Sequence, residues 1–416
     1  MAKKKKFTFV DLFAGCGGLS LGLEQAGFTP LFVNELSPDA MGTYLLNRDD
    51  HYPWLRRKYN KNDIKDLTVK PGILEGLKSD FKTDFLINDI DLVAGGPPCQ
   101  GYSGIGHRRS YAVDKAQLPS NHLYQHYARV INVLRPKIFL FENVRGLLNA
   151  KWTDSKGESG EIWRDVLATL RNIPGYTVNW QLVYAKDYGV PQNRPRVLAV
   201  GIRNDLGIKE VNGRVANGFL PEATGGYPSI PELLSDLVDP DYMPGGETTK
   251  YPSPAKNHWQ KQLRLDPDTG KVRGKNTQLT EHVYSNHSQK IIDKFSHMLA
   301  NDGVIPDSMK TKKFAQRVLP QAWDGKGPTI TATSLPDDYV HYCQPRSPTV
   351  REWARIQMFP DWYEFAGKRT TGGIRRAGNP QAGIFDREVP KYTQIGNAVP
   401  VKLANEIGKH FIKLLS

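Results

Sequence analysis

Three cysteines in 416 residues, Cys16, Cys99 and Cys343, are too few and too widely spaced for a disulfide framework. No C-x-x-C pair occurs, so a structural zinc site is not expected and no metal is predicted. No apolar run is long enough to span a bilayer, and no secretory leader pattern opens the chain. A thiol kept free for use fits a reducing setting, so a cytoplasmic location and no membrane partner are expected. Acidic residues are in deficit, with 43 Asp+Glu against 56 Lys+Arg and a net charge of +13. That balance suits a polyanionic partner, although many basic proteins bind none. Lys3 to Lys6 read as a solvated basic tail. What remains is ordinary for a globular protein: 39% hydrophobic and 24% charged residues, on a chain long enough for two domains.

The first half alternates between strand and helix patterns. Phe7 to Phe13 reads as a first strand, and Ala14-Gly15-Cys16-Gly17-Gly18 as the turn after it. Leu19, Leu23 and Ala26 share a helix face, and Gly27 suits its end. Phe28 to Asn34 reads as a second strand ending at Glu35. Ser37-Pro38 opens another helix. Strand material follows at Phe85 to Ala94, Lys137 to Phe141 and Pro195 to Ile202, with helices at His122 to Leu134 and Ile162 to Leu170. The alternation predicts an α/β fold with a doubly wound, mostly parallel sheet. Glu35 lies twenty residues beyond Gly15, the spacing at which a carboxylate meets ribose hydroxyls. Ser20 breaks the G-x-G-x-x-G pattern, which disfavours a dinucleotide and suits a nucleoside cofactor without pyrophosphate. A tight strand–helix connection without a ligand is the plainer alternative.

The stretch Gly95-Gly96-Pro97-Pro98-Cys99-Gln100-Gly101-Tyr102-Ser103 follows the apolar run Asp91 to Ala94. A cysteine therefore stands where a strand meets a glycine- and proline-rich loop, the edge at which open α/β sheets bind ligands. Two prolines stiffen the approach to the sulfur. A small buried residue is the bland alternative.

Six elements occur in a fixed order: Phe13-Ala14-Gly15-Cys16-Gly17-Gly18; Pro97-Pro98-Cys99-Gln100; Glu142-Asn143-Val144; Gln192-Asn193-Arg194-Pro195-Arg196; Thr349-Val350-Arg351-Glu352 with Arg355, Gln357, Phe359 and Pro360; and Gln394-Ile395-Gly396-Asn397-Ala398-Val399-Pro400. In this order the chain resembles the C5-cytosine DNA methyltransferases. The resemblance runs from residue 7 to about residue 404, with an unmatched region between Arg203 and about Pro328. It implies methyl transfer to C5 of a cytosine in a specific double-stranded DNA sequence. Cytosine C5 is a poor nucleophile. A thiolate adding at C6 makes it electron-rich, so Cys99 becomes the covalent catalyst, presented by Pro98. Glu142 is assigned to N3 and the exocyclic amine, with Asn143 and Val144 holding its backbone and walling the pocket. Arg194 and Arg196 are assigned to the base O2 and a nearby phosphate. Taken alone, Glu142 reads more readily as a satisfied buried acid or a helix-cap partner, and the arginines equally well as surface charge flanking the strand.

The methyl donor implied by the resemblance is S-adenosyl-L-methionine. Phe13, Gly15, Cys16, Gly17, Gly18 and Leu19 would hold its amino-acid and sugar portion, and Glu35 its ribose. Leu36 would pack on the adenine, with Asp63 and Ile64 reading its amino group. Asn397 and Val399 would close the pocket. The target carbon lies inside a duplex stack, so the base must be extruded. Gln100, Ser103, Arg108 and Arg109 lie on a glycine-bearing basic loop (residues 100 to 120) able to close on DNA. A monomer is expected, with a companion restriction endonuclease as a further partner that the sequence leaves open.

From about Asp205 the alternation stops, and glycine, proline and polar residues rise. The division expected is residues 1–204 for catalysis and cofactor, 205–392 for a smaller, irregular target-recognition region with a basic insertion at 366–392, and 393–416 returning to the catalytic part. Between Lys250 and Arg317, 13 Lys+Arg face 6 Asp+Glu, an excess consistent with phosphate contact. Gly327 to Thr333 resembles a P-T-I-T stretch of the family, or an edge strand. Three other readings stay open: an RNA methyltransferase of the same architecture, a catalytically silent DNA-binding relative, and a dinucleotide oxidoreductase. The long middle region argues against the first and retention of Cys99 and Glu142 against the second. Ser20 and the Cys99 loop argue against the third.

Overall fold

The computed structural model describes residues 6–98, 122–153, 159–208, 219–310, 316–322, 328–330, 338–370 and 388–416. Seven strands form the central sheet: β1 (Phe7–Leu12), β2 (Phe28–Asn34), β3 (Asn60–Lys61), β4 (Leu92–Gly95), β5 (Ile138–Val144), β6 (Tyr176–Tyr184) and β7 (Pro195–Arg203). Their order is β3-β2-β1-β4-β5-β7-β6. The first five pair in parallel, while β7 pairs antiparallel with both β5 and β6, so β7 alone runs against the rest.

Both faces of the sheet are covered, which is why its inner strands are mostly apolar rather than alternating. Phe7, Phe9, Leu92, Ala94, Ile138 and Leu140 belong to one buried cluster, and Val10, Leu12, Val93, Phe139 and Phe141 to the other. Helices α1 (Gly18–Ala26) and, near the far end of the chain, Val401–Leu415 cover the first face. Helices α2 (Pro38–Leu46), α3 (Ile73–Asp84), α4 (Leu123–Leu134) and α5 (Ile162–Arg171) cover the second. The doubly wound α/β expectation is met.

Two local expectations differ. Of Phe85 to Ala94 only Leu92–Gly95 is strand. Helix α3 occupies the residues before Phe85, and Leu86 turns out at φ 57° and is largely exposed. The strand β6 was not foreseen. It lies at the sheet edge, where Thr177 is exposed and Asn179 and Gln181 are half-buried among its apolar residues.

Past Arg203 the regular layers end. Short helices, such as Ile230–Leu234 and His258–Leu263, and α6 (Gln289–Ala300) are joined by loops and by isolated bridges such as Lys250↔Gln278. Helix α7 (Val350–Ile356) begins with a capping box. The Thr349 hydroxyl accepts from the Glu352 amide while Glu352 takes the Thr349 amide. Glu352 also makes a bidentate pair with Arg346 at 2.7 and 2.8 Å. Arg355 reaches Asp236 and Asp361, at 2.5 and 2.6 Å, and Asp236 also meets Arg264, all with no exposed side-chain surface. The charges of the T-x-R-E-x-x-R element are therefore spent on folding the region around it. Leu233, Leu237, Tyr251, Leu263 and Trp353 join the same apolar cluster as Phe7, Leu19 and Val200, so one core runs across residue 204.

The chain then returns through α8 (Lys391–Asn397) to α9 (Val401–Leu415). Here α1 and α9 touch backbone to backbone. A Cβ on Gly22 would overlap Ala404 and the Val401 carbonyl, and one on Gly408 would stand 2.7 Å from the Ala26 methyl. Asn405 Nδ2 donates to the Gly22 carbonyl at 3.3 Å.

Candidate active site

The carboxyl edge of the sheet gathers most of the expected residues. Leu12, Gly95 and Phe141 are in register on neighbouring strands β1, β4 and β5. The next residues, Phe13, Gly96 and Glu142, therefore lie side by side across about 10 Å, two strand spacings. Because β7 runs the other way, its first residues come to this same edge, with Arg196 opposite Val144.

After β1 the backbone turns through Phe13 at φ 58°, Gly15 at 57° and Gly17 at 84°. The Ala14 amide takes the Asn34 carbonyl at 2.9 Å, which pins the turn to the end of β2. Glu35 locks the other side. One carboxylate oxygen accepts the Gly15 amide and the other the Ser37 amide, both at 2.8 Å. Burial pushes the Glu35 pKa up, against the pull of the Ser37, Gly15 and Leu36 amides. Each carboxylate oxygen has room for a second donor. Leu36, beside it, is 67% exposed, an apolar side chain with nothing over it. Asn62 Nδ2 donates to the Glu35 carbonyl, bringing Asp63 to the same edge. Asp63 caps the helix Ile64–Thr68 by accepting the Lys65 amide at 2.9 Å, and Ile64 is buried. Leu19 is buried, Gly18 lies against the Val399 carbonyl, Val399 is buried and Asn397 is exposed. These residues fit a nucleoside-bearing ligand: a carboxylate with spare acceptor capacity, an open turn and an uncovered leucine. Cys16 is no nucleophile. It is 1% exposed, its thiol meets the Gln394 carbonyl at 3.4 Å, and burial raises its pKa to about 12.

Beneath the turn lies a polar network absent from the expectations. Asp11 on β1 accepts the Ser20 hydroxyl at 2.5 Å, and Ser20 meets Tyr44 at 2.8 Å. Arg48 stacks on Tyr44 at 3.9 Å, pairs with Glu24 at 2.6 Å and donates to Tyr363, whose hydroxyl donates to the Cys16 carbonyl. Burial raises the Asp11 pKa to about 7, against the Ser20 bond. A lone carboxylate in the apolar run Phe7 to Phe13 was the signal available in the sequence.

At the other end of the edge, Glu142 pairs with Arg196 Nε at 2.6 Å. Gly96 makes room for it, since a Cβ there would stand 2.6 Å from Glu142 Oε2. Asn143 Nδ2 donates to the Pro97 carbonyl at 3.0 Å, and its own oxygen takes the Val144 amide at 2.9 Å. Asn143 thus holds the root of the Pro97-Pro98 segment against β5. Burial lowers the Arg196 pKa, and the Glu142 charge opposes that.

Arg194 departs from its expected place beside the base. It is 1% exposed, and its terminal nitrogens are taken by the carbonyls of Ile330, Gly396 (2.5 Å) and Ala398 (3.0 Å). Cys99, Gln100, Ser103, Arg108 and Arg109 lie outside the described residues.

The model of the C-5 cytosine-specific DNA methylase family matches residues 7–413. Type II methyltransferase M.DdeI of Desulfomicrobium norvegicum is 31% identical over 97% of this chain and 88% of its own length. Type II methyltransferase M.XorII of Xanthomonas oryzae pv. oryzae is 31% identical over 98% of this chain and 84% of its own. In fold, the chain is similar to a prophage-encoded protein of E. coli. That likeness has a TM-score of 0.66 at 24% identity, covering 98% of this chain and 99% of the other. With a matching model over nearly all its length, and with the edge residues described above in the expected order, the chain belongs to the C-5 cytosine-specific DNA methylase family.

Proposed function

We propose that the chain transfers the methyl group of S-adenosyl-L-methionine to C5 of a cytosine flipped out of a specific duplex sequence. The observation that carries this is the Glu142–Arg196 pair, set against Gly96 and the Pro97-Pro98 root of the Cys99 loop, two strands from the Gly15 turn. The cofactor supplies an electrophilic methyl on a sulfonium centre. Glu35 takes the ribose hydroxyls, Leu36 covers the adenine, and Asp63 with Ile64 meets its edge. The turn Phe13–Leu19 receives the amino-acid portion, and Asn397 with Val399 closes the pocket.

The Cys99 thiolate forms a bond to C6 of the base. Electron density moves toward C5 and N3, where the Glu142 carboxyl meets the ring edge, and Arg196 fixes that carboxyl and meets O2. The cofactor, held by Glu35 and the Phe13–Leu19 turn, would supply its methyl to the activated C5 and leave as the neutral thioether. The C5 proton passes to solvent water, its bonding pair re-forms the C5–C6 double bond, and the Cys99 thiolate leaves C6. Pro98 and Asn143 hold the loop root, while Gln100, Ser103, Arg108 and Arg109 close on the DNA. Exposed Lys250, Lys261, Lys271, Lys275 and Lys290 in the middle region supply phosphate contacts.

Bisulfite sequencing of DNA from cells expressing the chain tests this reading. Protected cytosines should appear in one recurrent sequence and vanish with Cys99→Ser. Unmodified DNA together with modified RNA would select the RNA reading instead.

A further inference from the structure

Four separated segments meet in one buried polar node. Gln192 and Gln357 have no exposed surface, and Arg194 has 1%. Gln192 Nε2 donates to Gln357 Oε1 at 2.9 Å and to the Ile356 carbonyl at 3.2 Å, and its oxygen accepts the Ile330 amide at 3.2 Å. Arg194 takes the Ile330 carbonyl, so both backbone groups of Ile330 are held from one loop. The neighbouring Asn193 amide takes the Pro328 carbonyl, and Thr329 donates to the Asn193 carbonyl. On the far side, Arg194 donates to Gly396 and Ala398. Gln357 donates to Ile395 at 2.7 Å and to the same Ala398 carbonyl at 3.4 Å. Ala398 and the next residue, Val399, lie against Gly18 of the turn after β1.

Among the described residues Arg194 makes no ion pair. A buried guanidinium without a carboxylate is costly. Here its fork is spent on three carbonyls from two segments, one returning from the middle region and one bordering the cofactor pocket. The same side chain stands two residues from Arg196, the partner of Glu142. A lysine has one nitrogen and cannot span these carbonyls as the planar fork does.

We infer that Arg194 is a positioning residue that couples the two binding events: through Ile330 and the Gly396–Ala398 turn, it links duplex binding by the middle region to closure of the cofactor pocket. The inference rests on the function proposed above. It gives Arg194 no contact with the base. Coupling of this kind is reciprocal, so each ligand tightens the other by one factor.

The test is calorimetric titration of S-adenosylhomocysteine into the full chain, with and without a duplex carrying the sequence found by bisulfite sequencing. The wild type should bind the nucleoside at least about fivefold tighter with the duplex present. Arg194→Lys should bring that ratio toward one. It should raise the KM for the methyl donor at saturating duplex, yet keep most of kcat once both ligands saturate. Gln357→Met removes the second donor to Ala398 without touching Arg194. It should lower the ratio in the same direction, and it decides the matter if Arg194→Lys melts far below the wild type. A wild-type ratio of one overturns the inference. So does an Arg194→Lys protein with the full ratio but a kcat lost at saturation, which would mark a base contact. Neither result touches the methyl-transfer reading, because wild-type methylation is scored separately by bisulfite sequencing.

Discussion

Residues at the sheet edge divide by what already occupies them. Glu142 has one carboxylate oxygen on Arg196 and the other toward Gly96, where only a hydrogen leaves room. Glu142→Gln keeps the shape and removes the carboxyl proposed to meet the base. Methyl incorporation should fall by about 10²- to 10⁴-fold, the usual worth of a general acid, while S-adenosylhomocysteine affinity stays near that of the wild type. Near-normal turnover would remove Glu142 from the chemistry. Asp11 poses a different question. Its pKa rises from an ordinary 3.8 to about 7 because burial penalises the charge. The folded state therefore holds a proton that the unfolded chain releases near pH 4. Stability from this group is full below pH 3.8 and declines as pH rises to about 7. By linkage the decline is at most roughly 4 kcal/mol, at about 1.4 kcal/mol per unit. Asp11→Asn should lose that slope, gaining on the wild type between about pH 4 and pH 7 in urea unfolding. Parallel curves for the two proteins would show that the carboxyl is not protonated in the fold. Neither the Asp11 network nor the fate of Arg194 was legible in the sequence. Asp11 meets Ser20 nine positions on, and Tyr363 meets Arg48 across 315. Arg194 and Arg196 share a strand pattern yet go to different partners, because only Arg196 has Glu142 in reach.

Elements with one strong local signal were readable. The first two strands, the turn at Gly15 and the caps at Gly27 and Ser37 sit where the apolar runs and cap residues indicated. The edge strand β6 was hidden by its polar positions, and α3 by its lysines and aspartates, because a half-exposed element carries a weaker apolar pattern. The close contact of α1 with α9 was invisible, since it depends on residues 383 positions apart. Gly22→Leu should separate these helices and destabilise the protein by about 1–3 kcal/mol, or more if the backbone must shift. A drop in Tm accompanied by weaker S-adenosylhomocysteine binding is the result expected, because Gly18 and Val399 belong to the same contact. In the middle region, Asp236 bears two buried guanidiniums, those of Arg264 and Arg355. Asp236→Ala strands Arg264 and leaves Arg355 with Asp361 alone, and should cost about 3–5 kcal/mol. Chemical denaturation measures it, and a loss under about 1 kcal/mol would mean the network has other means of balance.

At the scale of the molecule, the six family elements fall before Arg203 or after Pro348, while residues 205–322 carry none of them. Side chains that read base edges must vary with the target, whereas the chemistry need not. Exchanging residues 205–322 for the matching region of a relative with another target should move the methylated sequence with the insert, as read by bisulfite sequencing. An active hybrid that kept its original target would refute the assignment. The swap must respect the shared core, because Leu233, Leu237 and Tyr251 pack in one cluster with Trp353 and Phe359.

The interlocked glycines of α1 and α9 also set a clock on biosynthesis. Gly22 leaves the ribosome 383 residues before its partner Asn405. At about 5–20 residues per second, that interval is on the order of 20–80 s. Through that interval α1 keeps an uncovered apolar face, and the turn at Gly15 lacks its wall at Val399. A nascent chain that already carries Cys99 and Glu142 therefore has no closed pocket for the methyl donor. Chains cut short before residue 400 lack the α9 side of the shared core, and α1 should be where a chaperone finds them.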